Sequence, residues 1–284
     1  MSQTGEKRVE RRQSVTLSGR LRSRIWVLRR LSVMMMKDPR EGVDRIRNKI
    51  EVRRNAASSS TQRLHPHPAW DQELHCLLEA KWPCDACNAF ADVWFDTVAL
   101  LGERTPSNGH DFDADPALAR AVLSAVRHSR PERVIETGVA RGVTSRFILE
   151  GLAMNRKGHL WSIDLPPLSG RWEEETGVAV PEQLRSRWTY MRGSSRRLLP
   201  SLCRARSPID LCLFDSLHTE SNVRFELEFG WENLKRGGII LVDDVDDNSA
   251  FMSVARSLEN ASSFLGGHER KHGLFGFLLK HALA

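Results

Sequence analysis

Several features are scarce or missing in this 284-residue sequence, and each absence narrows what the chain can be. No run of about 18 apolar residues occurs, so we expect no transmembrane helix. The cysteines number five, which is few and odd, so a disulfide scaffold is not expected and a reducing cytoplasm is the default location. No internal repeat is visible, which leaves a chain of unrepeated elements. With 40% apolar residues, the sequence still predicts a packed globular core.

The positive charge is confined to the N-terminal part of the chain. Residues 1–60 contain 16 Lys or Arg and 6 Asp or Glu, a net charge of +10, whereas the remaining residues contain 26 and 30, a net charge of −4. We interpret residues 1–60 as a basic, flexible and partly helical arm, with an amphipathic helix over residues 21–36. A solvated tail is the favoured interpretation, and contact with an anionic lipid or nucleic-acid surface is the alternative.

A second segment, residues 61–115, has the helical spacing of a cap. Apolar residues recur at helical intervals over residues 70–82 and again over residues 90–98. Between them lies a C-x-x-C pair, Cys84 and Cys87, with four further possible ligands upstream: His65, His67, His75 and Cys76. Because no second ligand pair stands at the usual zinc-site spacing, we favour unliganded thiols there over a metal site.

The most informative stretch is residues 134–145. A β-branched run leads to Glu136, then Gly138 and Gly142 stand four positions apart around Ala140, and a helical apolar pattern follows. This order predicts a strand, a tight turn and a helix N-terminus, where free amide groups face a ligand at the edge of a sheet. The glycine spacing differs from the G-x-G-x-x-G of dinucleotide enzymes, which makes a dehydrogenase the least favoured interpretation.

Strands and helices alternate after this turn, and this predicts a Rossmann-like α/β fold: a doubly wound, mostly parallel sheet with helices on both faces. Ligands of such sheets lie beyond the carboxyl ends of the strands. In this sequence those ends carry Asp164, Gly193-Ser194, Asp215 and the pair Asp243-Asp244. The later predicted strands cover residues 160–163, 188–191, 209–214, 238–242 and 274–279, and a predicted helix covers residues 251–264.

Acidic residues from neighbouring strands are expected to converge. Asp215, Asp243 and Asp244 would repel one another if unpaired, and a hard divalent cation, Mg²⁺ first, would relieve that repulsion. The alternative is that Asp243 and Asp244 only cap the following segment. His218, three residues after Asp215, would lie beside the ion with a pKa suited to taking a proton from a hydroxyl.

Taken together, these motifs resemble class I S-adenosylmethionine (SAM) dependent methyltransferases. More narrowly, they are similar to metal-dependent O-methyltransferases of small molecules and sugars and to the cephalosporin-hydroxylase-like group. The resemblance covers about half of the chain, and Ser216 departs from the glycine that the group often has. It implies a SAM-binding domain over residues 116–284, Mg²⁺ on Asp215, Asp243 and Asp244, and His218 as the base. The residues that it places at SAM are Glu136, Gly138, Ala140, Gly142, Thr144, Asp164, Ser194 and Asp215.

The predicted reaction is therefore O-methylation of a hydroxyl on a sugar or natural product, with the helical cap covering the acceptor. Two alternatives stay open: a metal-independent methyltransferase acting on another atom, and a non-catalytic SAM-fold binding module attached by its basic arm. A homo-oligomer also stays open.

Overall fold

The computed structural model describes residues 32–36, 38–55, 64–102, 113–168 and 172–282. The chain divides into two compact units, residues 1–42 and residues 43–284. In the first unit, residues 32–36 are helical, and most of the helix predicted over residues 21–36 lies outside the described residues. Within the described ranges, no helix is long and apolar enough to cross a membrane.

A seven-stranded sheet forms the centre of the second unit. Its strands are β1 Arg133–Thr137, β2 His159–Asp164, β3 Trp188–Arg192, β4 Ile209–Phe214, β5 Leu234–Val242, β6 Ala261–Gly267 and β7 Leu274–Lys280. The strand order is β3-β2-β1-β4-β5-β7-β6, with β1 to β5 parallel and β7 antiparallel to both of its neighbours. The predicted α/β class is confirmed, and the order reverses beside β1, where such sheets place their ligands.

Helices cover both faces of this sheet. They are α1 Pro39–Asn55, α2 Trp70–Leu77, α3 Asp85–Gly102, α4 Pro116–Ser129, α5 Val143–Asn155, α6 Trp172–Glu175, α7 Ser195–Arg206, α8 Glu220–Asn233 and α9 Ala250–Ser257, with a 3-10 turn at Glu182–Arg187. Successive residues of β1 point to opposite faces, so Val134 joins the core cluster of α2 to α5 and Ile135 joins that of α7 to α9. Both clusters are buried, which explains why the central strands are apolar without alternation.

The cap segment shares the first of these cores. Leu74 of α2 is fully buried, and Phe90 of α3 lies 5.3 Å from Phe147 of α5 between ring centroids. The following helix, α4, begins at Pro116, and the Asp115 side chain caps it by accepting a hydrogen bond from the amide of Ala117 at 2.9 Å.

Two predicted elements near the C-terminus were wrong. The helix expected over residues 251–264 ends at Ser257, and β6 follows, because its pairing with β7 stacks Phe264 on Phe277 at 4.7 Å between centroids. In addition, α8 ends at Asn233, and β5 begins at once with Leu234. The strand predicted over residues 238–242 therefore begins four residues earlier than expected, beside a shift in the β4–β5 register.

Residues 43–55 of α1 pack on the sheet domain, unlike a flexible arm. The Asp44 carboxylate accepts a hydrogen bond from Arg197 Nε at 2.6 Å, and Asn55 Oδ1 accepts one from the amide of Glu220 at 2.9 Å. Glu51 forms an ion pair with Arg196 at 3.4 Å. Three contacts along one helix face hold it beside the N-termini of α7 and α8.

Candidate functional site

A cavity of about 440 Å³ opens at the carboxyl ends of the parallel strands. Nine of the eleven predicted site residues line it, and a tenth, Gly142, lies in the turn below. Those lining it are Gly138, Ala140, Thr144, Asp164, Ser194, Asp215, His218, Asp243 and Asp244. Glu136, the remaining prediction, also lies outside the lining. The strand ends thus bring the predicted donor-binding and acidic residues to one space.

Close backbone contacts explain the two glycines of the turn after β1. Gly138 has φ +83°, and a Cβ on it would lie 1.7 Å from the carbonyl oxygen of Asp215. Gly142 has φ +86°, and a Cβ there would lie 2.8 Å from the Cα of Gly177. Both positions require glycine, since a side chain would collide with backbone that cannot move independently. Ala140 also has positive φ, 46°, and its carbonyl accepts a hydrogen bond from the amide of Gly177 at 3.0 Å.

Glu136 lies beneath this turn, away from the cavity. Its carboxylate accepts hydrogen bonds from the hydroxyls of Thr144 at 2.7 Å, Ser145 at 2.6 Å and Ser162 at 2.6 Å. Burial raises the pKa of Glu136 to about 7, although the three hydroxyls oppose that shift. This geometry does not favour the predicted direct contact between Glu136 and SAM. The Glu136 carboxylate oxygens instead join the start of α5 to β2.

Asp164 does face the cavity, at the end of β2. Its side chain accepts a hydrogen bond from the amide of Leu165 at 2.8 Å. Burial raises the pKa of Asp164 to about 6, against the stabilising effect of this amide and those of Ala140 and Val139. Ser194, buried beyond β3, borders the same space, and its amide donates to Asp44 at 3.3 Å. The Asp164 carboxyl group therefore lies beside the glycine turn, where it can accept hydrogen bonds from a ribose.

The acidic half of the cavity is centred on His218. Its Nε2 lies 3.2 Å from Asp215 Oδ1, and its Nδ1 lies 3.1 Å from Asp244 Oδ2. Burial would lower the pKa of His218, but the two carboxylates hold it well above its usual value. Burial, together with the charge of Asp243, raises the pKa of Asp215 to about 6. Both ring nitrogens thus contact carboxylates, so proton transfer here involves Asp215 and His218 as a pair.

Two cations that we did not predict neutralise the acidic pair after β5. The Lys271 ammonium donates to Asp243 Oδ2 at 3.0 Å and to Asp244 Oδ1 at 2.8 Å. The His268 Nε2 lies 2.9 Å from Asp243 Oδ1. Burial would lower the pKa of His268, but the carboxylates around it raise that pKa, so the contact is an ion pair. Burial would lower the pKa of Lys271, but the two carboxylates raise it. The three carboxylates of the site are therefore already paired with protein cations.

Asp115 fixes the loop that carries these cations. Besides capping α4, its carboxylate accepts hydrogen bonds from the amides of Glu269 at 2.8 Å, Arg270 at 2.8 Å and Lys271 at 3.3 Å. Burial would raise the pKa of Asp115, but His268 and these amides hold it well below its usual range. No sequence motif marked this loop.

The described residues do not gather the predicted Mg²⁺ ligands into one cluster. Ligand atoms within 4.8 Å of one another occur in two sets here: Asp243, Asp244 and His268, and separately His218, Asp244 and Asp247. Asp215 belongs to neither set. In addition, Lys271 stands between Asp243 and Asp244, at the point where a bridging cation would have to bind. This donor set does not fit Mg²⁺ unless the lysine is displaced.

Comparison with known proteins agrees with this geometry. Residues 135–245 match the family model described as a methyltransferase domain. No curated protein matches the sequence.

Solved structures match over most of the chain. The O-methyltransferase TomG from Streptomyces achromogenes, involved in tomaymycin synthesis and bound to SAM, superposes with a TM-score of 0.53 at 15% identity, covering 75% of this chain and 96% of that one. Cofactor-bound Rv0187 from MTB gives 0.51 at 18% identity, covering 78% and 100%. The Bacillus cereus O-methyltransferase bound to SAH gives 0.50 at 14% identity, covering 75% and 97%. At these identities the likeness shows a shared fold.

Proposed function

We propose, from the premise that this chain is a SAM-dependent methyltransferase of the class I fold, that it methylates a hydroxyl group of a small molecule such as a sugar or natural product. One observation carries the proposal: a single cavity joins the glycine turn and Asp164 to Asp215, His218 and Lys271. The structurally similar TomG, an O-methyltransferase involved in tomaymycin synthesis, supports the choice of oxygen and of a small acceptor.

SAM would occupy the half of the cavity beside β1 and β2. The Asp164 carboxylate would accept hydrogen bonds from the ribose hydroxyls, since it stands at the end of the strand next to the glycine turn. Gly138 and Ala140 would let the ligand approach the backbone closely, and Ser194 would border the adenine. The sulfonium methyl would then point toward the acidic half, where the acceptor binds.

The chemistry requires an oxygen nucleophile in line with that methyl group. The acceptor oxygen forms a bond to the methyl carbon as the carbon–sulfur bond breaks, and S-adenosylhomocysteine leaves. The hydroxyl proton passes to the Asp215 carboxylate, which would take the role of base that we predicted for His218. The His218 ring, kept protonated by Asp215 and Asp244, would hold that carboxylate in place. The Lys271 ammonium lies close enough to this pair, through Asp244, to stabilise negative charge that develops on the oxygen.

The Mg²⁺ assistance that we predicted rested on three unpaired carboxylates. In the structure Lys271, His268 and His218 supply the missing positive charge, and the metal-independent alternative gains support from that pairing. The proposed reaction therefore uses the protein's own groups alone. A non-catalytic SAM-binding module would need no proton acceptor, and the Asp215–His218 contact argues against it.

Calorimetric titration of the full chain with SAM tests the proposal. Wild-type protein is expected to bind at micromolar concentration, and Asp164→Ala to bind roughly 10- to 100-fold more weakly, because hydrogen bonds to a charged group contribute about 1.5–3 kcal/mol. Asp92→Ala, an exposed acid on α3, is the matched control and should bind as wild type does. A substitution of Gly138 does not suit this test, because a Cβ there would collide with the Asp215 carbonyl and disturb the fold as well as SAM binding.

If wild-type protein binds no SAM, the methyltransferase proposal is overturned. If it binds SAM but transfers no methyl group to any diol or sugar acceptor in a radiolabel screen, the binding module takes its place.

A further inference from the structure

A cluster of sulfur and nitrogen atoms lies in the cap, outside the cavity described above. His75 of α2 is buried, as is Cys84, the residue before α3, and Cys87 stands half-buried in the first turn of α3. The His75 Nε2 lies 3.3 Å from Cys84 Sγ and 3.5 Å from Cys87 Sγ, and the two sulfurs are 3.4 Å apart. Two elements thus bring three metal-ligating atoms together.

These distances are those of one face of a zinc tetrahedron. Zn–S bonds of about 2.3 Å and Zn–N bonds of about 2.1 Å give edges of about 3.8 Å between sulfurs and about 3.6 Å between sulfur and nitrogen. The observed separations are shorter than these edges by a few tenths of an ångström, so a zinc ion needs only a slight expansion. They are far longer than the about 2.05 Å of a disulfide.

The orientation of His75 supports a ligand role. Its Nδ1 lies 2.6 Å from the carbonyl oxygen of Asp71, a contact that requires the Nδ1 proton. Nε2 is then the unprotonated nitrogen, and its lone pair points at the two sulfurs. Histidines that bind zinc are held in this way by a carbonyl or carboxylate behind the ring. The amide of Cys87 also donates to Cys84 Sγ at 3.3 Å, which stabilises a thiolate.

The fourth position has access from solvent. A pocket of about 480 Å³ is bordered by Cys84, Asp85 and His128 of α4. The His128 ring lies 5.1 Å from the His75 ring between centroids, and its Nε2 is buried with no hydrogen-bond partner in the part of the chain that the structure describes. A water molecule from the pocket or this nitrogen can complete the tetrahedron.

We propose that His75, Cys84 and Cys87 bind a structural zinc ion. The thiolates select a soft or borderline cation, and their mixture with imidazole fits zinc. The ion would join α2 to the start of α3 and so fix the loop between the two cap helices. Because the site shares no residue with the cavity lining, the proposal does not depend on the proposed methyl transfer.

Metal analysis of the full chain tests this proposal. Protein purified under reducing conditions with added zinc is expected to carry about one zinc per chain, as a structural site does. After chelation, titration with Co²⁺ should produce the visible bands of tetrahedral cobalt and a thiolate charge-transfer band. Because loss of an outer-shell partner alone weakens binding 10- to 100-fold, Cys84→Ser, Cys87→Ser and His75→Gln should each weaken Co²⁺ binding by at least about 100-fold.

Cys76→Ser is the matched control, because Cys76 is the exposed neighbour of His75. Its zinc content and cobalt spectrum should equal those of wild type. Circular dichroism identifies any variant that fails to fold, and His75→Gln, which keeps both thiols, gives a second reading if a cysteine variant does not. Wild-type protein without zinc and without tetrahedral cobalt bands, or equal loss in Cys76→Ser, overturns the proposal.

Discussion

Replacing Glu136 with Gln should remove a pH dependence from the stability of this protein. The carboxyl group is fully buried, and its pKa is raised from 4.5 to about 7, chiefly by burial. The folded state therefore holds the proton more tightly than the unfolded chain, and stability is lost as pH rises from about 4.5 through about 7. A shift of this size corresponds to about 3 kcal/mol, at 1.36 kcal/mol for each pKa unit.

The measurement is urea unfolding of wild type and Glu136→Gln at about pH 4.5 and about pH 8. Gln keeps the size of the side chain but does not titrate, so the wild-type free energy of unfolding should fall between these pH values by about 3 kcal/mol more than that of the variant. The raised pKa values of Asp164 and Asp215 act in both proteins and cancel in the comparison. Glu132→Gln, an exposed acid, is the control and should follow wild type.

Parallel pH profiles for wild type and Glu136→Gln would refute this reasoning. They would mean that the three hydroxyls around the carboxylate replace the solvation that burial removes, so that the group titrates near its ordinary pKa.

Two further predictions concern the acidic half of the cavity. Wild-type turnover should not change when EDTA is added. Lys271→Met should lower kcat by about 100-fold, the loss typical of one charge-stabilising donor, with little change in SAM affinity. Full turnover in the variant, or loss of wild-type turnover with EDTA, would contradict the role assigned to Lys271. The value of kcat/KM should decrease below about pH 6, because Asp215 must be ionised to accept the proton and its pKa is about 6. Asp215→Asn should be inactive at every pH. A wild-type kcat/KM that does not change with pH would show that Asp215 takes no part in the proton transfer.

The sequence predicted the positions of the glycine turn and of Asp164 well because local signals determine them. Gly138 and Gly142 follow a β-branched strand, and Asp164 ends the next one, so a chain read in order already places them at one edge. The signals for the two cap helices were equally local. These features follow from short-range periodicity and turn chemistry.

Features that depend on distant contacts were missed. Lys271 and His268 reach Asp243 only because β6 pairs with β7, and the helix predicted over residues 251–264 concealed β6 itself. The repulsion that suggested Mg²⁺ disappears once these cations are placed. Likewise, His75 meets Cys84 and Cys87 through the fold of the cap, since its spacing from them matches no usual zinc motif.

The Asp115 cap depends on residues that lie far apart in the sequence. Its carboxylate holds amides 154 to 156 positions further along the chain, whereas Gly138 and Asp164 are close in sequence. During synthesis the N-terminal part of the chain emerges first. We therefore expect the Asp115 cap, and with it the placement of Lys271 beside Asp243, to form only after the loop before β7 has been synthesised.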